Sequence, residues 1–239
     1  GLASPEVAGG HVEQGPAARN GEEPQVVGHG HELRLALERT LGLDRVGRRR
    51  RAGSFAVEIL GKRLLSCPTA FAESWRRCKE GLAEHLAVDE SEVDAVRRNV
   101  ERETSDDREA QARESTAAGV VGAWLKNVAS ELESEISAID DAVAGLGFEI
   151  GRGDVVAQTP IGDARFDSLL VLIEKLLRAK GKWRDDERLL VFTEYKTTLD
   201  YLVRRLRERY EEERILTLFG GGGKDGMDEA DRDLVKHAF

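Results

Sequence analysis

The chain has 239 residues, with 36 Lys and Arg against 45 Asp and Glu, a net charge of −9 and 40% apolar side chains. That is enough for one full domain or two small ones. No apolar run reaches the ~18 residues of a membrane span, and the first residues lack the charged, apolar, small-residue order of a secretory signal, so a soluble cytoplasmic protein with no membrane partner is expected. Cys67 and Cys78 match no disulfide framework and no Cys-x-x-Cys metal or redox spacing, and they read as core thiols.

The charge lies in blocks. Residues 1–30 hold 1 basic against 4 acidic side chains, 31–86 hold 12 against 7, 87–149 hold 6 against 16, and 150–239 hold 17 against 18. Because a local field steers a charged partner, the overall acidity does not exclude a nucleic acid.

Residues 1–30 are rich in Gly, Pro, Glu and Ala and nearly devoid of large apolar side chains, which predicts a disordered tail. Within it and at its edge, His29 and His31 lack the further ligands a structural metal site needs. Leu33, Leu37 and Leu41 then recur every four residues, marking a short amphipathic helix. The run Arg48 to Arg51 offers four forked guanidinium groups suited to phosphate, with Arg49 and Arg50 as candidate nucleic-acid contacts against the plainer alternative of a solvated turn.

Helical spacing covers Phe55 to Leu65, and again Phe71, Trp75, Cys78, Leu82 and Leu86, with Pro68 between the two helices. The stretch from Val88 to Thr116 is dense in Asp, Glu and Arg, which predicts a solvent-facing or partly disordered acidic insertion. Val121, Leu125, Val128, Leu132, Ile136, Ile139, Val143 and Leu146 step by three and four, as in one long helix with a single apolar stripe. That stripe is expected to pack within the chain; as a docking face it would instead make this a helical protein-interaction module.

The Gly-rich stretch to Gly162 reads as a linker, with a new unit beginning near Asp163. A helix through Phe166 to Leu177, a strand Leu189–Phe192, a helix through Leu199 to Leu206 and a strand Ile215–Phe219 form an alternating pattern, which predicts an α/β unit with a parallel sheet. In such sheets ligands gather beyond the carboxyl ends of the strands, here Thr193 to Lys196 and Gly220 to Lys224.

Two motifs fail their tests. Gly220 to Lys224 ends in Gly-Lys like a phosphate loop, yet Leu218 stands where that loop needs its first Gly, and Asp225 stands where it needs a hydroxyl. An independent nucleotide-binding domain is therefore the weakest reading. Asp228-Glu229-Ala230-Asp231 spells a helicase magnesium site but follows no apolar strand, so these acids are expected to open the next helix.

Taken together, Asp163-x-x-Phe166-x-x-Leu169, the run from Leu189 through Thr193-Glu-Tyr-Lys196 to Leu202, and Leu218-Phe-Gly-Gly221 followed by Asp231 to Phe239 resemble the start of the second motor lobe of Swi/Snf-type superfamily II DNA translocases. Ile59 to Phe71 resembles the segment joining the two lobes in bacterial members, which include RNA-polymerase-associated and phage-defence helicases. The resemblance covers about residues 52–86 and 163–239. It implies a helical inter-lobe region over 31–150 and an incomplete RecA-like parallel sheet over 163–239. It further implies a motor that steps along double-stranded DNA, using ATP and Mg2+ together with an N-terminal lobe that this chain lacks. Lys62, Lys182 and Lys224 follow Gly but precede Arg63, Trp183 and Asp225, so the phosphate loop is absent, and the arginine-finger motif would lie past Phe239. The chain alone is accordingly expected neither to bind nor to hydrolyse ATP. By the same resemblance the turn after the first strand faces the DNA backbone, with Thr193 and Lys196 as phosphate contacts and Gly221 permitting close approach.

Overall fold

The two helices at the centre of the molecule meet backbone to backbone, and two glycines, Gly81 and Gly122, allow it. A computed structural model describes residues 48–238 apart from 85, 152 and 221–226; the side chains of 48–50 and 238 also fall outside it. The tail, the histidines, the helix expected over residues 33–43, Gly221 and the side chains of Arg49 and Arg50 therefore lie outside the described residues.

Helix α1 (Arg48–Ser66) starts earlier than the spacing predicts, so the arginine run forms its first turns rather than a loop. Ala52, Phe55, Ala56, Ile59, Leu60 and Leu64 are buried at helical intervals, which extends the apolar face back to that run. Helix α2 (Pro68–Ala83) has Pro at its first position, where no amide partner is needed, and the Cys67 thiol accepts from the Ala70 amide at 3.3 Å. It ends before Leu86, which is 80% exposed and is not part of the stripe.

The acidic stretch is ordered. It forms α3 (Glu90–Val100) and the first half of α4 (Asp107–Leu125), with Asp89 and Asp106 each accepting two amide bonds as N-caps. The carboxylates thus satisfy helix ends, which their density conceals at the level of composition. Val93 is wholly buried, and Val96 and Val100 pack against the core beside it.

The apolar stripe is not one long helix. After α4 the chain tightens into a 3-10 stretch over Lys126–Glu131, leaves helical geometry at Leu132 (φ −122°, ψ 15°) and resumes as α5 (Glu133–Gly145). Its side chains nonetheless face inward as expected: Val121, Leu125, Val128, Leu132, Ile139, Val143 and Leu146 are all buried in the main core. The stripe thus packs within the chain, as expected.

Helices α2 and α4 cross closely. A methyl group on Gly122 would overlap the Cys78 carbonyl, and one on Gly81 would overlap the Gly119 carbonyl. Trp75 and Lys79 both donate to Asp140, at 2.8 and 2.7 Å, which ties α2 to α5.

The Gly-rich linker is pinned as well. Gly147 takes φ 86°, Phe148 and Val155 enter the core, and Arg204 donates to the carbonyls of Ala157 and Gln158. Helix α6 (Ala164–Leu177) is followed by a short antiparallel hairpin of β1 (Arg178–Ala179) and β2 (Lys182–Trp183), then by α7 (Lys196–Arg207) and α8 (Glu229–Ala238). The acids from Asp228 do open α8, since the Asp228 carboxylate accepts from the Asp231 amide at 2.7 Å.

The parallel sheet is the expectation that the described residues do not bear out. Among them the one ladder is the β1–β2 hairpin, and the runs Leu189–Phe192 and Ile215–Phe219 carry no strand pairing. The chain is α-rich. An apolar strand of a parallel sheet is stable only between neighbours that satisfy its backbone and cover both faces. Here Leu190, Val191, Phe192, Leu216 and Leu218 remain exposed.

Candidate nucleic-acid interface before helix α7

The segment Thr193–Lys196 turns the chain into α7, and three distant parts of the sequence converge on it. The Thr193 hydroxyl accepts from the Tyr195 amide and donates to the Tyr195 carbonyl, both at 3.4 Å, closing a local turn in front of the helix. Tyr195 occupies the N-cap position of α7 but supplies no side-chain cap, and its ring is buried instead.

That ring lies under the guanidinium of Arg63 from α1, 3.9 Å from the ring centre, while the same guanidinium pairs with Glu114 of α4. Arg63 is only 5% exposed. A planar, weakly hydrated cation can stack on an aromatic face and engage a carboxylate through its edge at once, which a lysine ammonium cannot. Burial pushes the Glu114 carboxyl above its ordinary range against the opposing pull of Arg63. Burial, and then the charges of Glu114 and Glu194, push the Tyr195 phenol far up.

The first turn of α7 is held just as firmly. Gln111 donates to the Thr197 hydroxyl at 2.9 Å, and Thr198 bonds Ser66 Oγ and the Cys67 thiol. Farther along, the buried Tyr201 hydroxyl donates to Asp163 at 2.7 Å, and its ring meets Phe166 edge-on at 6.1 Å. Arg165 donates to the Leu64 and Leu65 carbonyls at the end of α1, where the helix leaves acceptors unsatisfied.

Of the predicted contacts, Thr193 and Lys196 thus flank one turn and share Tyr195 as a neighbour. Lys196 is engaged: it pairs with Asp200 four residues on, and its ammonium sits 4.6 Å from the Phe219 ring centre. Gly220 is drawn to the same region, since its amide donates to Asp107 at 2.6 Å. Arg49 and Arg50 lie in the first turn of α1, at the far end of that helix from Arg63.

Sequence reasoning missed Arg63, Ser66, Gln111 and Glu114. The first two stand inside the quoted stretch Ile59 to Phe71, but nothing local marks them as partners of a turn some 130 residues away. Among the described residues no group of His, Cys, Asp and Glu could hold a metal ion, and no helix is long and apolar enough to cross a membrane. No family model matches the chain, and neither a curated protein nor a solved structure does.

Proposed function

We propose that this chain is part of an ATP-dependent DNA translocase of Swi/Snf-like type, supplying a DNA-backbone contact at Thr193–Lys196 and part of the second motor lobe. The observation that carries the reading is the convergence of its separate motifs. Asp163 and Phe166 of the first stretch meet Tyr201 of the second, and Arg63, Ser66 and Cys67 of the joining segment meet Tyr195 and Thr198. The stretches that resemble one motor lobe and its joining segment are thus in contact with one another.

The runs Leu189–Phe192 and Ile215–Phe219 are apolar and flank α7, as two strands of a RecA-like sheet would, although among the described residues neither is paired. In such a motor, ATP and Mg2+ would be held chiefly by the N-terminal lobe, and double-stranded DNA would run past the turn before α7.

Duplex binding across a salt series tests the proposal. Contact through Lys and Arg releases counterions, so affinity should fall steeply between about 50 and 200 mM salt. Absence of binding at the lowest salt would remove the DNA-contact role. Steady ATP turnover by this chain alone would contradict the division of labour between lobes.

A further inference from the structure

We propose that Arg63 is the positioning residue of the Thr193–Lys196 turn, transmitting the placement of the helical region to it through the stacked ring of Tyr195. The inference rests on the reading of that turn as a DNA contact and adds what controls its shape.

Three units meet at one guanidinium. Arg63 belongs to α1, Glu114 to α4 and Tyr195 to the turn, so the stack and the ion pair together bind the turn to two helices of the main core. Beyond Tyr195 the first turn of α7 has anchors of its own, through Thr197 to Gln111 and Thr198 to Ser66 and Cys67. Before it, among the described residues, no anchor of that kind is present: Val191 and Phe192 are exposed, and Thr193 makes its side-chain hydrogen bonds to the backbone of Tyr195. The line of contact therefore runs Glu114, Arg63, Tyr195, Thr193, and a shift of the Tyr195 ring carries the Thr193 hydroxyl with it.

The chemistry explains why this position holds arginine. The cation is nearly buried, so its attraction to the ring face is little screened, and its remaining donors need a carboxylate. Lysine would keep the charge and lose the flat stack. Phenylalanine in place of Tyr195 would keep the face, whereas leucine would remove it.

The test uses the whole chain and the variants Arg63→Met, Arg63→Lys, Tyr195→Phe and Tyr195→Leu, read by hydrogen exchange of peptides covering residues 193–199, 68–83 and 107–125. Arg63→Met and Tyr195→Leu should each speed exchange over 193–199 by about tenfold with little change over 68–83 and 107–125, as expected of a local opening. Tyr195→Phe should resemble the parent, Arg63→Lys should fall between, and the double variant Arg63→Met with Tyr195→Leu should go no further than either alone. Unchanged exchange over 193–199, equal loss of protection across all three peptides, or fully additive effects would each overturn the proposal. A duplex-binding series run beside it separates this inference from the one beneath it. If the parent chain binds no DNA, the DNA reading of the turn fails while the exchange pattern still decides the role of Arg63.

Discussion

The carboxylate of Asp163 serves two elements at once: one oxygen caps α6 by accepting from the Arg165 and Phe166 amides at 3.1 Å, and the other accepts the Tyr201 hydroxyl of α7 at 2.7 Å. Burial and the adjoining carboxylate push the Tyr201 phenol far up, so it stays a donor across the working pH range. Tyr201→Phe should destabilise the chain by about 1.5–3 kcal/mol, because it strands a buried charged acceptor. Asp163→Ala should cost more, since the cap is lost as well. Urea unfolding of both single variants and the double variant measures the coupling, and strict additivity would mean that the two groups do not act on each other.

The glycines of the α2–α4 crossing make a sharper contrast. Gly122→Ala forces a methyl group into the Cys78 carbonyl, and Gly81→Ala does the same at Gly119, so each should lower stability by about 2 kcal/mol or more through separation of the two helices. Gly61, inside α1 with no atom near the position of an added methyl group, should instead gain up to about 1 kcal/mol on change to Ala. Thermal unfolding of the three variants decides it, and equal effects at all three positions would refute the close crossing.

Neither thiol should react in the folded chain. Cys67 and Cys78 are buried, and burial pushes Cys78 up to about 12. A thiol whose folded value is raised contributes stability that is fully present below its ordinary value near 9 and is lost as pH rises through about 12, so it leaves stability at neutral pH untouched. A colorimetric disulfide reagent at pH 8 should label neither cysteine until denaturant is added. Prompt labelling of Cys78 would show that α2 and α4 separate readily.

These elements show what the chain's sequence discloses and what it withholds. Periodicity marks α2, α6 and α7 and selects the residues of the main core, because burial of one helical face is written at intervals of three and four. It also holds Val93, Val96 and Val100, a short stripe masked by the surrounding charge, and so the order of the acidic stretch was partly legible. The break at Leu132 leaves the spacing of the stripe nearly intact and so escapes a count of intervals. The Gly81, Gly119 and Gly122 crossing, the Arg63 stack and the Gln111–Thr197 bond join residues dozens of positions apart, and local pattern carries no sign of them. The runs Leu189–Phe192 and Ile215–Phe219 have strand character, yet pairing is a property of neighbours, and among the described residues none pairs with them.

Lys196 has two claims on its charge. In this structure its ammonium is held by Asp200 and lies over Phe219, and its side chain is only 12% exposed. If it also contacts a DNA phosphate, Asp200 is a competitor for it, and weakening that competitor should favour the nucleic acid. Asp200→Asn should therefore tighten duplex binding several-fold, since it removes a negative charge beside the backbone and frees the lysine. Lys196→Ala should weaken binding about equally for all sequences and reduce the salt slope by about 1, the signature of one lost phosphate contact. Thr193→Val removes a neutral donor and should weaken binding with little change in slope. Anisotropy titrations of a labelled duplex over a range of KCl concentrations separate these outcomes. A Lys196→Ala variant with the parent's slope would mean that the lysine serves α7 alone, and the phosphate contact would then have to be sought elsewhere on the turn.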